Sequence, residues 1–220
     1  MGRRAVLGID TSTFWLNLAL MDLSGILLGE RHELVRTHAT GLVPAVEELL
    51  VESRLKSSHL GAVGVVLGPG SFTGLRVGLA AAEGYGEALG LPLYGIGSLQ
   101  ALAESVAFEG EGIALLDARR SEVYACRFSR KGHRATAMGE PRSVAPDSLG
   151  GSLSKVRWAA GDGVPLVQSW PGGCELLPEI PNMAAAAARK ALESLRAGRP
   201  GEMVSPLYVR APDVREPEGV

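Results

Sequence analysis

"GPGSFTGLRVG" (Gly68–Gly78) places three glycines in its first seven residues, with the hydroxyls of Ser71 and Thr73 between them. The apolar run AVGVVL (62–67) leads in, and a stretch of helical character follows. Strand, glycine turn, helix is the order in which many proteins cradle a phosphate. Three specific versions of that site fail on the residues. A P-loop needs a lysine after its last glycine, and no lysine occurs between Lys56 and Lys131. A dinucleotide fingerprint needs a third glycine where Thr73 stands, and a nucleophile elbow needs a glycine where Pro69 stands. Two readings stay open. The free amides at the helix start attract an anion, or Gly68, Pro69 and Gly70 simply turn the chain and Ser71 caps the helix.

The helix that follows is unusual in composition. Gly74, Gly78, Ala82 and Gly86 recur every fourth residue and so form one smooth stripe. Each interior glycine costs ~0.8–1 kcal/mol relative to alanine, roughly 3 kcal/mol for three. Close approach of another backbone is the compensation small residues allow. The approaching element is either this chain's own strand or helix, or a helix of another chain.

Outward from the loop, RAVLGID (4–10) reads as a buried strand ending on Asp10. FWLNLALMD and GILLGERHEL read as two further strands joined at the turn DLSG (22–25). In HATGLVPAVEELLVESRL (38–55), Leu42, Val46, Leu49 and Leu50 fall at helical spacing. LPLYGIGS (91–98) is a fifth strand, and SLQALAESVAF (98–108) a helix with Ser98 as its expected cap. The second half restarts the pattern: GIALLDARRSEVYACRFSR (112–130) is a strand ending on Asp117 followed by an alternating strand. Two related mixed α/β lobes follow from that repeat. Between Gly132 and Pro181 glycine and proline dominate, and only KVRWAAG (155–161) reads as a strand. Asn182 is the expected cap of MAAAAARKALESLRAG (183–198), and the last ten residues are expected to fray.

The formal net charge is −2, which gives no electrostatic footprint for nucleic acid, so an RNA role calls for a second, basic protein. Cys126 and Cys174 have no CxxC spacing, and His32, His38, His59 and His133 lack a metal-ligand spacing. Neither a signal peptide nor an 18-residue apolar run is present, which reads as a cytoplasmic chain without a membrane span. Asp10 is placed to accept a proton or hold a metal, or else serves as a satisfied turn acid. Thr11, Ser12 and Thr13 offer hydroxyls with no activating base nearby in sequence, and Asp117 with Arg119 reads equally as a structural ion pair.

GPGSFTGLRVG, the opening GIDTST (8–13), LLDARRSEVY (115–124) and PLYVR (206–210) together resemble the bacterial TsaB family, also called YeaZ. The likeness is good over residues 5–130, returns at 206–210, and is loose over 131–205. It implies an actin-like ATPase (RNase H-like) fold of two related lobes: residues 1–100, then a smaller lobe at 101–205, then a tail at 206–220. The helix at 182–197 is a candidate to pack back on the first lobe. The resemblance further implies a non-catalytic subunit in making N6-threonylcarbamoyladenosine at position 37 of ANN-decoding tRNAs. It would bind a TsaD-like paralogue that carries the metal and nucleotide chemistry, and with it a TsaE-like ATPase. Alone it would form a homodimer, hold no cofactor or metal, and meet tRNA only through the complex. Asp10, Thr11, Ser12 and Asp117 would then be relics of a nucleotide site. Partner contact would run through the first two helices, with His38, Leu42, Val46, Leu49, Leu50, Gly74, Leu75, Gly78, Leu79 and Ala82 at the interface. The loop Gly68, Pro69, Gly70, Ser71 becomes a structural turn into an interface helix. The alternative is an active enzyme of this fold, a phosphotransferase or metallopeptidase-like protein.

Overall fold

The computed structural model describes residues 2, 4–35 and 37–209. The first sheet contains β1 (Ala5–Asp10), β2 (Trp15–Asp22), β3 (Leu27–Leu34), β4 (Leu60–Val66) and β5 (Leu93–Ile96) in the order β3-β2-β1-β4-β5. β1, β2 and β3 are antiparallel neighbours, whereas β1, β4 and β5 run parallel. Every residue of β1 and β4 is buried, as expected for central strands covered on both faces.

The two covering layers differ in chemistry. On one face α1 (Leu42–Glu52) and α2 (Phe72–Leu89) close a core of Leu7, Ile9, Leu16, Leu18 and Val65. On the other lies α4 (Ala184–Arg196), whose sheet-facing Ala184, Ala188 and Ala191 are fully buried against Val6, Ala19 and Tyr94. Gly8 and Gly64 let the backbone of α4 rest directly on the strands: a methyl group at either would stand under 3.0 Å from a helix carbonyl, Ala184 O or Ala187 O. Asn182 anchors the start of α4, accepting from the Ala184 amide while its own amide donates to the carbonyls of Leu18 and Arg31.

The second sheet repeats the first. β6 (Gly110–Arg119) and β7 (Glu122–Lys131) form an antiparallel hairpin, β8 (Arg134–Ala137) and β9 (Arg142–Val144) pair with β7, and β10 (Trp158–Ala160) and β11 (Glu175–Leu177) run parallel beyond β6. The order β8-β7-β6-β10-β11 matches β3-β2-β1-β4-β5 in both succession and polarity. α3 (Ser98–Ser105) packs between this sheet and α4, through Leu99 and Leu102 against Phe128, Trp158 and Met183.

Three local readings are corrected. Ser98 is not a cap: Gly97 holds that position, and the Ser98 hydroxyl donates to the Pro69 carbonyl, tying α3 to the glycine loop. The region from Gly132 to Pro181 holds β8, β9 and β11 as well as β10. These strands have only three or four residues, too few to show a period, and they form because β7 and β10 offer ladder positions. The cap of α4 is Met183 by backbone geometry, although Asn182 does supply the capping oxygen. The expected frayed segment 211–220 and Arg210 of the PLYVR motif lie outside the described residues.

Candidate functional site

Asp10 ends β1 at the carboxyl edge of the parallel strands, where open α/β sheets place ligands. Its carboxylate is fully buried and already engaged. Oδ1 accepts from the Ser12 amide at 2.8 Å and Oδ2 from Asn17 Nδ2 at 2.7 Å. Asn17 faces Asp10 across β2, and His32 faces Asn17 across β3, so the chain of bonds runs through three strands. His32 Nδ1 donates to Asn17 Oδ1 at 2.6 Å, and its ring stacks on Trp15 with centroids 4.1 Å apart. Burial pushes the Asp10 carboxyl above its ordinary value, while the bonds from Ser12 and Asn17 and the nearby His38 pull it back.

The next two residues are committed too. Thr11 Oγ1 donates to the Gly74 carbonyl at 2.8 Å, and the Ser12 carbonyl accepts from the Ser71 amide at 2.7 Å. The glycine loop is thus the surface on which the turn after β1 rests. A methyl at Gly70 would come under 3.0 Å from Ser12 O, one at Gly74 equally close to Thr11 O, and one at Gly78 equally close to Thr11 Oγ1. Ser71 Oγ accepts from the Gly74 amide at 3.2 Å and caps α2, as its sequence position indicated. The loop's glycines make room for Thr11 and Ser12. His38 donates from Nε2 to the Thr13 carbonyl at 2.9 Å and braces the same turn from the approach to α1.

Asp117 occupies the equivalent place in the second sheet. Its carboxylate accepts from the Arg119 amide at 2.7 Å and from the Arg119 guanidinium at 2.9 Å. Its own amide donates to Asp162 Oδ1 at 2.8 Å. Burial pushes the Asp162 carboxyl up, helped by the facing charge of Asp117. Sequence reasoning missed Asp162; its only signal was an acid between two glycines, Gly161 and Gly163. Arg119, Arg120 and Ser121 all adopt left-handed backbone, with φ of 63°, 54° and 61°, a conformation costing roughly 1–2 kcal/mol per residue outside glycine. That tight turn holds the Arg119 guanidinium 4.8 Å from the ring centroid of Phe14, so the two hairpin tips meet.

The assignment of partner-facing side chains is corrected. Leu42, Val46, Leu49, Leu50, Leu75, Leu79 and Ala82 are at most 5% exposed and point into this chain's own core, and Gly74 and Gly78 face Thr11. A helical stripe says which residues share a face, and here the first sheet needed covering. The outer face of α1 carries the exposed Val43 and Val51, 51% and 73% exposed, and that of α2 carries Ala80, Gly84 and Ala88. Tyr85 donates to Glu47 at 2.9 Å across the two helices. Among the described residues no three His, Cys, Asp or Glu side chains gather as a metal-binding group, and no helix is long and apolar enough to cross a membrane.

Replacing Asp10 with asparagine tests the cost of the buried charge. Because the folded carboxyl binds its proton more tightly than the ordinary value of 3.8, native stability falls as pH rises from about 4 through the folded pKa. Asparagine retains an acceptor for Ser12 and has no charge to bury. Asp10→Asn is expected to melt at or above the wild type at pH 7, with the margin shrinking toward pH 4. A lower melting temperature at pH 7 would show that the Asn17 bond outweighs the burial.

A family model described as "TsaD: tRNA N6-adenosine threonylcarbamoyltransferase" matches residues 32–160, more than half of the chain. An uncharacterized protein of Mycobacterium leprae is 35% identical over 217 residues, covering 96% of this chain and 56% of that protein. The tRNA threonylcarbamoyladenosine biosynthesis protein TsaB of Haemophilus influenzae is 36% identical over 139 residues, covering 60% of this chain and 56% of its own length. TsaB of Bacillus subtilis is 32% identical over 127 residues, 57% of this chain and 56% of its length. The chain thus spans little more than half the length of the curated relatives it matches. A Pseudomonas aeruginosa protein solved as similar to peptidase YeaZ superposes with a TM-score of 0.78 at 25% identity, covering 94% of this chain and all of that one. The activator of 2-hydroxyisocaproyl-CoA dehydratase from Clostridium difficile, TM-score 0.52 at 11% identity over 88% of this chain and 96% of that one, shares the fold alone. With duplicated sheets of one order and polarity, the fold is the actin-like ATPase fold, and the chain belongs to the TsaB (YeaZ) family.

Proposed function

We propose that this chain is a non-catalytic subunit in the synthesis of threonylcarbamoyladenosine in tRNA, working in the cytoplasm by binding a TsaD-like paralogue and, with it, a TsaE-like ATPase. The observation that carries this reading is the contrast between a filled Asp10 site and an open helix face. At the carboxyl edge of the parallel strands, where open α/β sheets place ligands, Asp10 and Thr11 are bonded to Ser12, Asn17 and Gly74, with no part of the Asp10 side chain left at the surface. Outside, Ala80, Gly84 and Ala88 form a ridge of small residues along α2, and Val43 and Val51 stand exposed on α1.

Gly84 is the informative member. A methyl there would meet nothing within 4 Å, so nothing inside the chain requires glycine. A mid-helix glycine still costs ~0.8–1 kcal/mol relative to alanine. Close approach by a partner helix compensates for that cost, as small residues let two backbones come together. The same ridge on a second copy accounts for a homodimer when the TsaD-like partner is missing.

The test is reconstitution. Modification of tRNA by the TsaD-like and TsaE-like partners is expected to require this chain and to survive Asp10→Asn. The isolated chain is expected to show no ATP turnover above a buffer control. Sustained turnover that persists through repurification and disappears in Asp10→Ala would replace this reading with the phosphotransferase alternative.

A further inference from the structure

Pairing along β7 is interrupted. β8 ends at Ala137, the Met138 amide bonds the Arg127 carbonyl, and pairing resumes only where Arg142 meets Ala125. The intervening Gly139, Glu140 and Pro141 bow away from the strand. Beside the bow, between β7 and the 3-10 segment Pro146–Leu153, lies a cavity of 310 Å³. That volume is at the lower end of the range for small-molecule sites. Buried Ile113, Ala125 and Leu149 give it apolar lining. Cys126 and Gly139 line it too, and the Cys126 thiol donates to the Gly139 carbonyl at 3.3 Å.

The cavity's charges do not cancel internally. Arg127 is committed to Glu111 at 2.6 Å. Glu140 and Arg142 also line the cavity, and neither makes an ion pair or a side-chain hydrogen bond among the described residues, with each other or with anything else. Both nonetheless act on the same buried atom: the Cys126 thiol is pushed up to about 11 by burial and then by Glu140, with Arg142 pulling it down. One acid and one base, unpaired, flank a cavity with apolar lining. A molecule carrying both charges next to a short apolar group satisfies each of these features together.

We propose that this cavity binds a small zwitterion, an α-amino acid with an apolar side chain, its carboxylate on Arg142, its ammonium on Glu140 and its side chain against Ile113, Ala125 and Leu149. The site uses neither Asp10 nor the outer face of α1 and α2, so it stands or falls independently of the partner-subunit reading.

Calorimetry on the full chain with L-leucine, N-acetyl-leucine and leucinamide reads the two charges separately. Leucine is expected to bind saturably, and each capped analogue at least about tenfold more weakly, because each lacks one charge-assisted bond. Glu140→Gln is expected to erase the difference between leucine and N-acetyl-leucine while keeping that against leucinamide; Arg142→Gln is expected to do the reverse. Both side chains are exposed, so melting should stay at the wild-type value and report intact folding. Absence of saturable leucine binding at millimolar concentration, equal affinity for the capped analogues in the wild type, or leucine affinity unmoved by both substitutions each overturns the proposal.

Discussion

Valine at position 64 is expected to lower the melting temperature by more than about 10 °C or to leave the protein insoluble. Gly64 lies in the middle of β4, and the first atom of any side chain there would fall under 3.0 Å from the carbonyl oxygen and carbonyl carbon of Ala187. Those are backbone atoms of α4, which cannot swing aside as a side-chain tip can. The helix must lift, and lifting it uncovers Ala184, Ala188, Ala191 and Leu192 together with the strand faces they cover. Overpacking usually costs ~1–3 kcal/mol when neighbours adjust. Here the neighbour is a whole helix, and a loss above ~4 kcal/mol is a large share of a typical ~5–15 kcal/mol total stability. At roughly 2–4 °C per kcal/mol for a chain of this size, the shift is easily measured by circular dichroism. Gly172→Val is the control, since nothing lies within 4 Å of that position, and it is expected to stay within about 0.5 kcal/mol of the wild type. Unchanged melting of Gly64→Val would mean that the α4 backbone does not rest on β4.

Much of this architecture is legible in the residues because it follows from period and punctuation. A buried strand ending on a carboxylate and then reversing, at Asp10 and again at Asp117, marks the duplicated sheets. The leucines of α1 and the glycines of α2 mark two amphipathic helices. What periodicity cannot supply is the identity of the surface a face will meet. Gly74, Gly78 and Gly84 are chemically alike, yet the first two receive Thr11 and the third meets open space. Ordering them needs the turn at residues 11–14, whose path depends on Asp10 being bonded to Asn17 seven residues away. The same limit hides Asp162, whose partner amide at Asp117 is 45 residues distant in sequence. It also hides β8, β9 and β11, short strands that exist only because β7 and β10 present free edges.

Leucine at Gly78 and leucine at Gly84 are therefore expected to give opposite results, although both lie on α2 and both improve helix propensity by roughly 0.8 kcal/mol. At Gly78 the new side chain must displace Thr11, whose hydroxyl would sit under 3.0 Å from its first carbon and whose bond to the Gly74 carbonyl fixes the turn after β1. Overpacking of ~1–3 kcal/mol, plus ~0.5–1.5 kcal/mol for the broken hydrogen bond, exceeds the gain in propensity. Gly78→Leu is expected to melt several degrees early and to lose function only in proportion to its unfolding. At Gly84 nothing opposes the gain, so Gly84→Leu, and more cleanly Gly84→Ala, is expected to melt a few degrees later than the wild type. The functional order reverses. In the proposed packing of a partner helix on Ala80, Gly84 and Ala88, leucine would hold the axes apart, whereas alanine would add a single methyl group. Gly84→Leu is expected to lose TsaD-like partner binding and tRNA modification while folded, and Gly84→Ala to retain most of both. A pull-down with the TsaD-like partner, run beside thermal melts of the three variants, separates the cases. Full partner binding by a well-folded Gly84→Leu would remove the outer face of α2 from the interface, and a stable Gly78→Leu that alone fails to bind would return the contact to the inner stripe.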